Sequence, residues 1–299
     1  MRRETYMLRP RFVVFSFLFI SVLAIGSSFL YSQKKHPYRL AICAMFKNEG
    51  PWLQEWIAYH HKVLGVERFY LYNNDSTDNS IDILQPFIDK GIVELIDWNS
   101  ADTTHRIDGV MDLVWMPYQL GAYNDCLKNR ALGKAKWVAM IDIDEFIVPT
   151  HGVPSFYHYL QRMEKRRKGT IKLFWKVFGT SHVWDLAPGE LLVEKLTQRG
   201  EDSHPWHQLA KSLYRPEAVE FCSIHDNPKL KPGFRRASAD AKAFCIHHYW
   251  TRTEKACRAK RSMSTDEYPP FFLDTNRVTD TTMHQYVPTL KKVLAKLEH

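Results

Sequence analysis

The chain has 299 residues and a formal net charge of +8, a size that allows one large domain or two small ones with a well-packed core. Residues 1–36 carry six Lys and Arg against one Glu, so they account for +5 of this charge. The other 263 residues are therefore close to neutral and show no RNA- or DNA-binding signature, which argues against nucleic acid as a partner.

Residues 12–31 form an uncharged, mostly apolar run of the length that a transmembrane helix needs. The apolar core of a cleaved signal peptide is usually shorter, so we expect a retained anchor. Four arginines precede the run and three basic residues follow it, which predicts a cytoplasmic N-terminus. Residues 1–36 are thus predicted to be a cytoplasmic stub, an anchor and a stem, with the rest in a periplasm or a secretory lumen.

Strands and helices are predicted to alternate with short connections between residues 37 and 150. Hydrophobic patterns predict strands at 39–46, 67–72, 92–96 and 136–141, and helices near 51–64, 80–88 and 117–132. Pro51 is well placed to start the first helix, and Gly65 to end it. This alternation favours a doubly wound, mostly parallel sheet with right-handed crossovers.

The pattern is looser between residues 151 and 299. A helix is predicted at 154–168, and helices are predicted near 253–263 and 289–297. Strands are predicted at 171–178, 191–197, 209–214, 221–224 and 243–248. Because the sequence shows no internal repeat and no long linker, we expect this half to extend the same sheet. Residues 37–299 then form one α/β domain.

The most informative stretch is Trp137–Phe146, an apolar run that ends in three carboxylates, Asp142, Asp144 and Glu145. A buried parallel strand delivers such residues to the edge of the sheet where α/β proteins bind ligands. Alternation along the strand would turn both aspartates of this Asp-x-Asp motif to the same side. Two oxygen donors so placed suit Mg²⁺ or Mn²⁺ with phosphate oxygens as further ligands. The alternative is a solvated acidic turn.

The five cysteines are odd in number and show no C-x-x-C spacing, which argues against a zinc site. Cys43 lies in an apolar strand pattern and is expected to be a buried thiol. A bridge between Cys222 and Cys245 stays open if the domain faces an oxidising compartment. The one glycosylation sequon begins at Asn74.

Three motifs together resemble those of family 92 glycosyltransferases. They are Lys47-Asn48-Glu49 followed by residues 56–60 (Trp-Ile-Ala-Tyr-His), the loop 72–78 (Tyr-Asn-Asn-Asp-Ser-Thr-Asp) and the segment 142–146 (Asp-Ile-Asp-Glu-Phe). Similarity continues at 211–216 and at His248-Tyr249. The resemblance implies a Rossmann-like GT-A fold that binds a nucleotide-sugar and a divalent cation. It also implies transfer of a sugar, often galactose from UDP-galactose, with inversion at the anomeric carbon.

The resemblance also implies roles for particular residues. Asp144 would bind Mn²⁺ or Mg²⁺ directly, with Asp142 holding metal or ribose and His248 as a further metal ligand. Glu145 ranks below the two aspartates, as a neighbour that supports them or pairs with a basic residue at the strand end. The residues expected to contact the nucleotide-sugar are Lys47, Asn48, Glu49, Asn73, Asn74, Asp75, Asp142 and Lys211.

Each nucleotide contact has an alternative reading. Asn73 and Asn74 stand where related enzymes usually have an Asp that accepts from uracil, although an amide can also bond a pyrimidine edge. The alternative for this loop is an Asx turn before a helix. Glu49 could instead serve the start of the helix at 51–64. Lys211 would suit the departing diphosphate, and its alternative is a core-edge or surface lysine.

An inverting transferase needs a general base that takes the proton of the acceptor hydroxyl. Glu201-Asp202 lies in the acceptor half, residues 151–299, in the order that family-2-like enzymes use, and Asp202 is the first choice. Asp185 and Glu190 are competitors.

The leading hypothesis is a membrane-anchored, metal-dependent, inverting glycosyltransferase with a UDP-sugar donor and a glycan or glycolipid acceptor. A nucleotidyltransferase would need a Gly- and Arg-rich loop after the first strand, and Lys-Asn-Glu-Gly-Pro at 47–51 is not such a loop. A membrane-tethered glycan-binding module without activity would not need paired acids after the fourth strand.

Overall fold

The computed structural model describes residues 36–108, 115–225, 228–264 and 270–297. Tyr38–His299 forms one compact unit by its internal contacts. None of the helices within the described ranges has the length and apolar character needed to cross a bilayer. The anchor predicted at 12–31 lies outside these ranges.

The strands run in chain order from β1 to β13. They are β1 Tyr38–Phe46, β2 Arg68–Asn73, β3 Val93–Asp97, β4 Ala135–Met140, β5 Glu145–Pro149, β6 Lys168–Val177, β7 Gln198–Arg199, β8 Ala210–Tyr214, β9 Val219–Phe221, β10 Lys229–Leu230, β11 Arg235–Ser238, β12 Phe244–His248 and β13 Val278–Thr279.

Eight α-helices are described between these strands. They are α1 Gly50–Ala58, α2 Ser80–Asp89, α3 Met116–Asp125, α4 Val153–Lys165, α5 Leu192–Lys195, α6 Glu254–Arg261, α7 Pro270–Thr275 and α8 Val287–Leu294. A π-helical turn continues α1 over Tyr59–Val63, and another continues α3 over Cys126–Arg130.

The main sheet has nine strands in the order β3-β2-β1-β4-β8-β6-β12-β5, with β11 paired to β6. The first four strands of this order are parallel to one another. β8 runs antiparallel to β4 and β6, and β5 runs antiparallel to β12. The predicted mostly parallel α/β sheet is confirmed, and the second half of the chain extends it as expected.

Both faces of the sheet are covered, because the residues of β1 alternate between two apolar clusters. Leu40 and Ile42 pack in the cluster that contains Trp56 of α1. Ala41 and Cys43 pack in the other, which contains Tyr123 of α3. Strands buried on both faces read as continuous apolar runs, which is why the pattern of these strands was visible in the sequence.

Residues 145–149, to which the hydrophobic pattern assigned no element, form β5 at the far edge of the sheet. One predicted element is wrong. The strand predicted at 191–197 is the short helix α5, since a brief apolar run does not reveal its period. All five cysteines are free and buried. Cys222 and Cys245 lie in the clusters on opposite faces of the sheet, so they form no bridge.

Candidate functional site

A cavity of about 440 Å³ lies where β1 and β4 end, and we call it the strand-end cavity. Its walls come from the segments that follow β1, β2 and β4, and from α3, β12 and α6. The lining residues are Met45, Phe46, Lys47, Glu49, Asn74, Trp115, Gln119, Asp142, Ile143, Asp144, His248 and Lys260. Many of the predicted site residues therefore meet in one place, at the edge of the sheet where ligands bind in this fold class.

Asp142 is fixed on both of its carboxylate oxygens. Lys211 of β8 lies 2.9 Å from Oδ2, and Gln119 of α3 donates a 2.8 Å hydrogen bond to Oδ1. The side chain of Lys211 is only 1% exposed and does not line the strand-end cavity. Burial disfavours its charge, but Asp142 and Glu145 outweigh that effect and raise the pKa of Lys211. This lysine thus holds an acid in place.

Asp144 is held by two groups from the second half of the chain. The Arg252 guanidinium lies 3.0 Å from Oδ2, and Nε2 of His248 lies 3.5 Å from Oδ1. Burial alone would raise the pKa of Asp144, but the charges of Arg252 and His248 outweigh burial and hold it well below its usual range. Asp144 is therefore a carboxylate at neutral pH and borders the cavity as an anion.

Glu145 is fully buried and does not line the strand-end cavity. Its carboxylate accepts a 3.0 Å hydrogen bond from the backbone N–H of Asp142, which closes the turn between β4 and β5. Burial raises the pKa of Glu145, and the nearby carboxylates of Asp142 and Asp144 add to the rise against the opposing charge of Lys211. The structure places Glu145 as a support of the turn that carries the two aspartates.

Glu49 follows β1 and pairs with cations from the second half of the chain. The Arg252 guanidinium contacts one carboxylate oxygen, and the Lys260 ammonium lies 3.6 Å from the other. Arg252 therefore bridges Glu49 and Asp144, which follow two neighbouring strands. Lys47 lines the same cavity.

Asn48 has a positive φ of 55° and organises the loop after β2. Its side-chain oxygen accepts a 2.7 Å hydrogen bond from the backbone N–H of Thr77 and one of 3.3 Å from that of Asp78. The Asn48 side chain thus connects the turn after β1 to the loop after β2.

The three predicted residues of the loop after β2 have separate roles. Asn74 is buried, lines the strand-end cavity and donates a 2.9 Å hydrogen bond to the carbonyl of Trp98. Asn73 is buried too, and its side chain accepts from the N–H of Ser76, as an Asx turn would. Asp75 contacts Ser100, and these hydrogen bonds lower its pKa.

The predicted general base is not brought into the strand-end cavity. The Asp202 side chain is 89% exposed and lies 2.9 Å from the Arg199 guanidinium. Glu201 is exposed as well. The competitors Asp185 and Glu190 pair with Lys255 and Lys195 and do not line the cavity either. The base at Asp202 stays a prediction.

Arg252 is one residue of the site that the sequence did not indicate, and Lys260 is another. Arg252 is buried, and its backbone has a left-handed φ of 57°, which few non-glycine residues adopt. Arg252 lies in the turn after β12, and its N–H donates to the carbonyl of Tyr249. The N–H of Tyr249 in turn donates to the carbonyl of Asp144. In the sequence Arg252 stands four residues after His248 but belongs to no motif and no hydrophobic period, so nothing marked it as a site residue.

A divalent cation fits the donors present. The oxygen of Asp144 and the nitrogen of His248 lie 3.5 Å apart, and Asp142 lines the same cavity. Carboxylate and imidazole are ligands that Mn²⁺ accepts. Within the described part of the chain, no three His, Cys, Asp or Glu side chains are gathered so as to hold a metal ion. Phosphate and water oxygens would thus have to complete the shell, as is usual for Mg²⁺.

A protein-family model described as glycosyltransferase family 92 matches residues 36–294. The chain belongs to glycosyltransferase family 92. A family 92 protein of Arabidopsis thaliana is 35% identical over 75% of this chain and 37% of its own length. The galactan beta-1,4-galactosyltransferase GALS2 of Arabidopsis thaliana is 26% identical over 84% of this chain and 48% of its own. The chain thus spans between a third and a half of the length of these curated relatives.

Among solved structures, S. aureus TarS 1-349 aligns with a TM-score of 0.39 at 13% identity, over 71% of this chain and 61% of that chain. The family membership rests on the sequence match, and it agrees with the resemblance in the three strand-end motifs.

Proposed function

We propose that this protein is a membrane-anchored, metal-dependent glycosyltransferase with a GT-A fold. It would transfer a sugar from a UDP-sugar to a glycan or glycolipid acceptor, with inversion. UDP-galactose is the donor to test first, because one relative is named a galactosyltransferase. The anchor in this proposal rests on the apolar run at 12–31.

The observation that carries the proposal is the meeting of Asp142, Asp144 and His248 at one cavity in a chain of family 92. A glycan-binding module without activity would have no use for two fixed carboxylates and a histidine at the carboxyl ends of the strands. The cavity, at about 440 Å³, is within the range of small-molecule sites.

The chemistry would be an in-line displacement at the anomeric carbon. The acceptor hydroxyl oxygen forms the new bond to that carbon as the bond to the diphosphate oxygen breaks, and the hydroxyl proton passes to a general base. A divalent cation, when bound, supplies positive charge for the phosphate oxygens of the leaving group. Gln119 and Lys211 keep Asp142 in place, while Arg252 and His248 keep Asp144 ionised and oriented.

The proposal predicts Mn²⁺-dependent release of UDP from at least one UDP-sugar in the presence of a glycan acceptor. Replacing Asp144 with Ala removes a ligand and one of the two carboxylates that Arg252 contacts, so UDP release should fall by roughly 1,000-fold. Release of UDP is measured for the full chain across a panel of UDP-sugars. The control is Asp89→Ala, which removes an exposed acid on the last turn of α2, outside the cavity, and should leave turnover unchanged.

Equal turnover by wild type and Asp144→Ala would contradict the proposal that Asp144 binds the metal. If the wild-type chain released UDP from none of the UDP-sugars, the proposed transferase activity itself would be contradicted.

A further inference from the structure

We propose that Lys260, on the last turn of α6, binds the diphosphate of the donor and stabilises it as it leaves. The inference rests on the proposed function and names the group that meets the phosphates in the strand-end cavity. It also replaces Lys211, which the sequence suggested for this task.

Lys211 cannot reach a ligand in the strand-end cavity. Its side chain is 1% exposed, and its ammonium is engaged by Asp142 at 2.9 Å. Turning it toward a phosphate would leave Asp142 and the buried Glu145 without their cation, and an uncompensated buried charge is costly. The diphosphate therefore has to find its positive charge elsewhere.

Lys260 is free to provide that charge. Its side chain is 63% exposed and lines the strand-end cavity. Its ammonium lies 3.6 Å from Glu49, whose side chain is 13% exposed. Because this contact is long and the lysine end of the pair is solvated, the ammonium can exchange it for a stronger anion. A lysine ammonium on its flexible stem serves phosphates as a mobile point charge.

Glu49 would not be left alone by this exchange. Arg252 contacts the same carboxylate and is itself buried, so Glu49 keeps a counter-charge when Lys260 moves. The guanidinium lies over the ring of Trp52, with 5.3 Å between Cζ and the ring centroid, which fixes it in place. Lys260 is thus the mobile cation of the group and Arg252 the fixed one.

Lys260 also lies where two cavities meet. A second cavity of about 400 Å³ adjoins the strand-end cavity, and Lys47, Glu49 and Lys260 line both. Arg252 and Trp52 line the second cavity, and the Nε of Arg252 is buried with no hydrogen-bond partner in the described part of the chain. A diphosphate at this junction would meet Lys47 and Lys260, with the Arg252 guanidinium in the wall of the second cavity.

The test compares UDP with uridine, which has the same base and ribose but no phosphate. Affinities of both are measured by calorimetry on the full chain with Mn²⁺ present, for wild type and Lys260→Gln. The matched control is Lys255→Gln, because Lys255 lies on the same helix with a side chain 61% exposed but pairs with Asp185 and lines neither cavity.

Lys260→Gln should bind UDP roughly tenfold more weakly, since it loses a charge-assisted contact, and should bind uridine as wild type does. Lys260→Arg should keep most of the UDP affinity, and Lys255→Gln should change neither ligand. Unchanged UDP affinity in Lys260→Gln would overturn the inference, as would an equal loss for UDP and uridine. A wild-type chain that binds neither ligand would remove the proposed function together with this inference.

Discussion

The acids that line the strand-end cavity and the cations that hold them come from different halves of the chain. Asp142, Asp144 and Glu49 come from the half before residue 150. The cations that hold them, Lys211 and Arg252, come from the half after it. Each acid is thus fixed by a partner from the other half, so the site exists only when both halves have folded together.

A comparison of Asp144 with Glu55 shows what a cation from the opposite half contributes to an acid. Asp144 has Arg252 beside it, and its pKa is held low in spite of burial. Glu55 of α1 also reaches the other half, but it accepts hydrogen bonds from the backbone N–H groups of Leu192 and Val193 at 2.8 and 3.1 Å. Its pKa is raised to about 7 because burial outweighs these two bonds.

Among the contacts between the two halves, we expect the largest loss of stability from removing Lys211, which pairs with Asp142. Lys211→Met keeps the length of the side chain and deletes the cation, so Asp142 and Glu145 lose their buried counter-charge. Breaking a buried pair on one side costs about 3–5 kcal/mol, and we expect a loss of this size in the free energy of unfolding. The measurement is urea unfolding at neutral pH.

Lys291→Met is the matched control for this prediction. Lys291 forms an ion pair with Glu194 at 2.7 Å, but its side chain is 47% exposed. Such a pair contributes about 0–1 kcal/mol, so the control should unfold almost as wild type does. Similar losses in the two variants would contradict the claim that Lys211 holds buried acids.

A smaller effect concerns Glu55, the acid that meets the other half without a cation. Its pKa in the folded protein, about 7, is above its ordinary value of 4.5, so the folded state keeps a proton that the unfolded state releases between these pH values. Stability should therefore fall as the pH rises from about 5 to 7. Glu55→Gln carries no such proton and should remove about 1–2 kcal/mol of that fall.

The measurement for Glu55 is the free energy of unfolding at several pH values between 5 and 7 for the wild type and Glu55→Gln. The two proteins should differ least at pH 5, where Glu55 is already protonated in the folded state. Parallel curves for the two proteins would show that Glu55 does not titrate in this range.

The sequence allowed the first half of the fold to be predicted because β1 to β4 are buried on both faces and alternate with amphipathic helices. It also identified Asp142 and Asp144, since a strand that ends in acids is a local pattern. Arg252 was not predictable in this way. It contacts Glu49 across 203 residues from a left-handed backbone position, and neither property leaves a local pattern.

Lys211 shows a second limit of the same kind. Its neighbours in the sequence marked it as a site residue, but its role depends on burial between β4 and β6, which only the register of β8 decides. The same holds for β5, whose partner β12 follows it by about a hundred residues. Lys211 was predicted to bind a phosphate, but its contacts across the sheet make it a partner of Asp142 instead.

The central claim is that Asp142 and Asp144 form a cation-dependent UDP site. Calorimetry of UDP binding tests it most directly, with the wild-type chain and Asp144→Ala, each in Mn²⁺ and in EDTA. We predict that wild type binds UDP in Mn²⁺, and that either EDTA or the substitution weakens binding at least tenfold. Equal UDP affinity in all four conditions would contradict the claim.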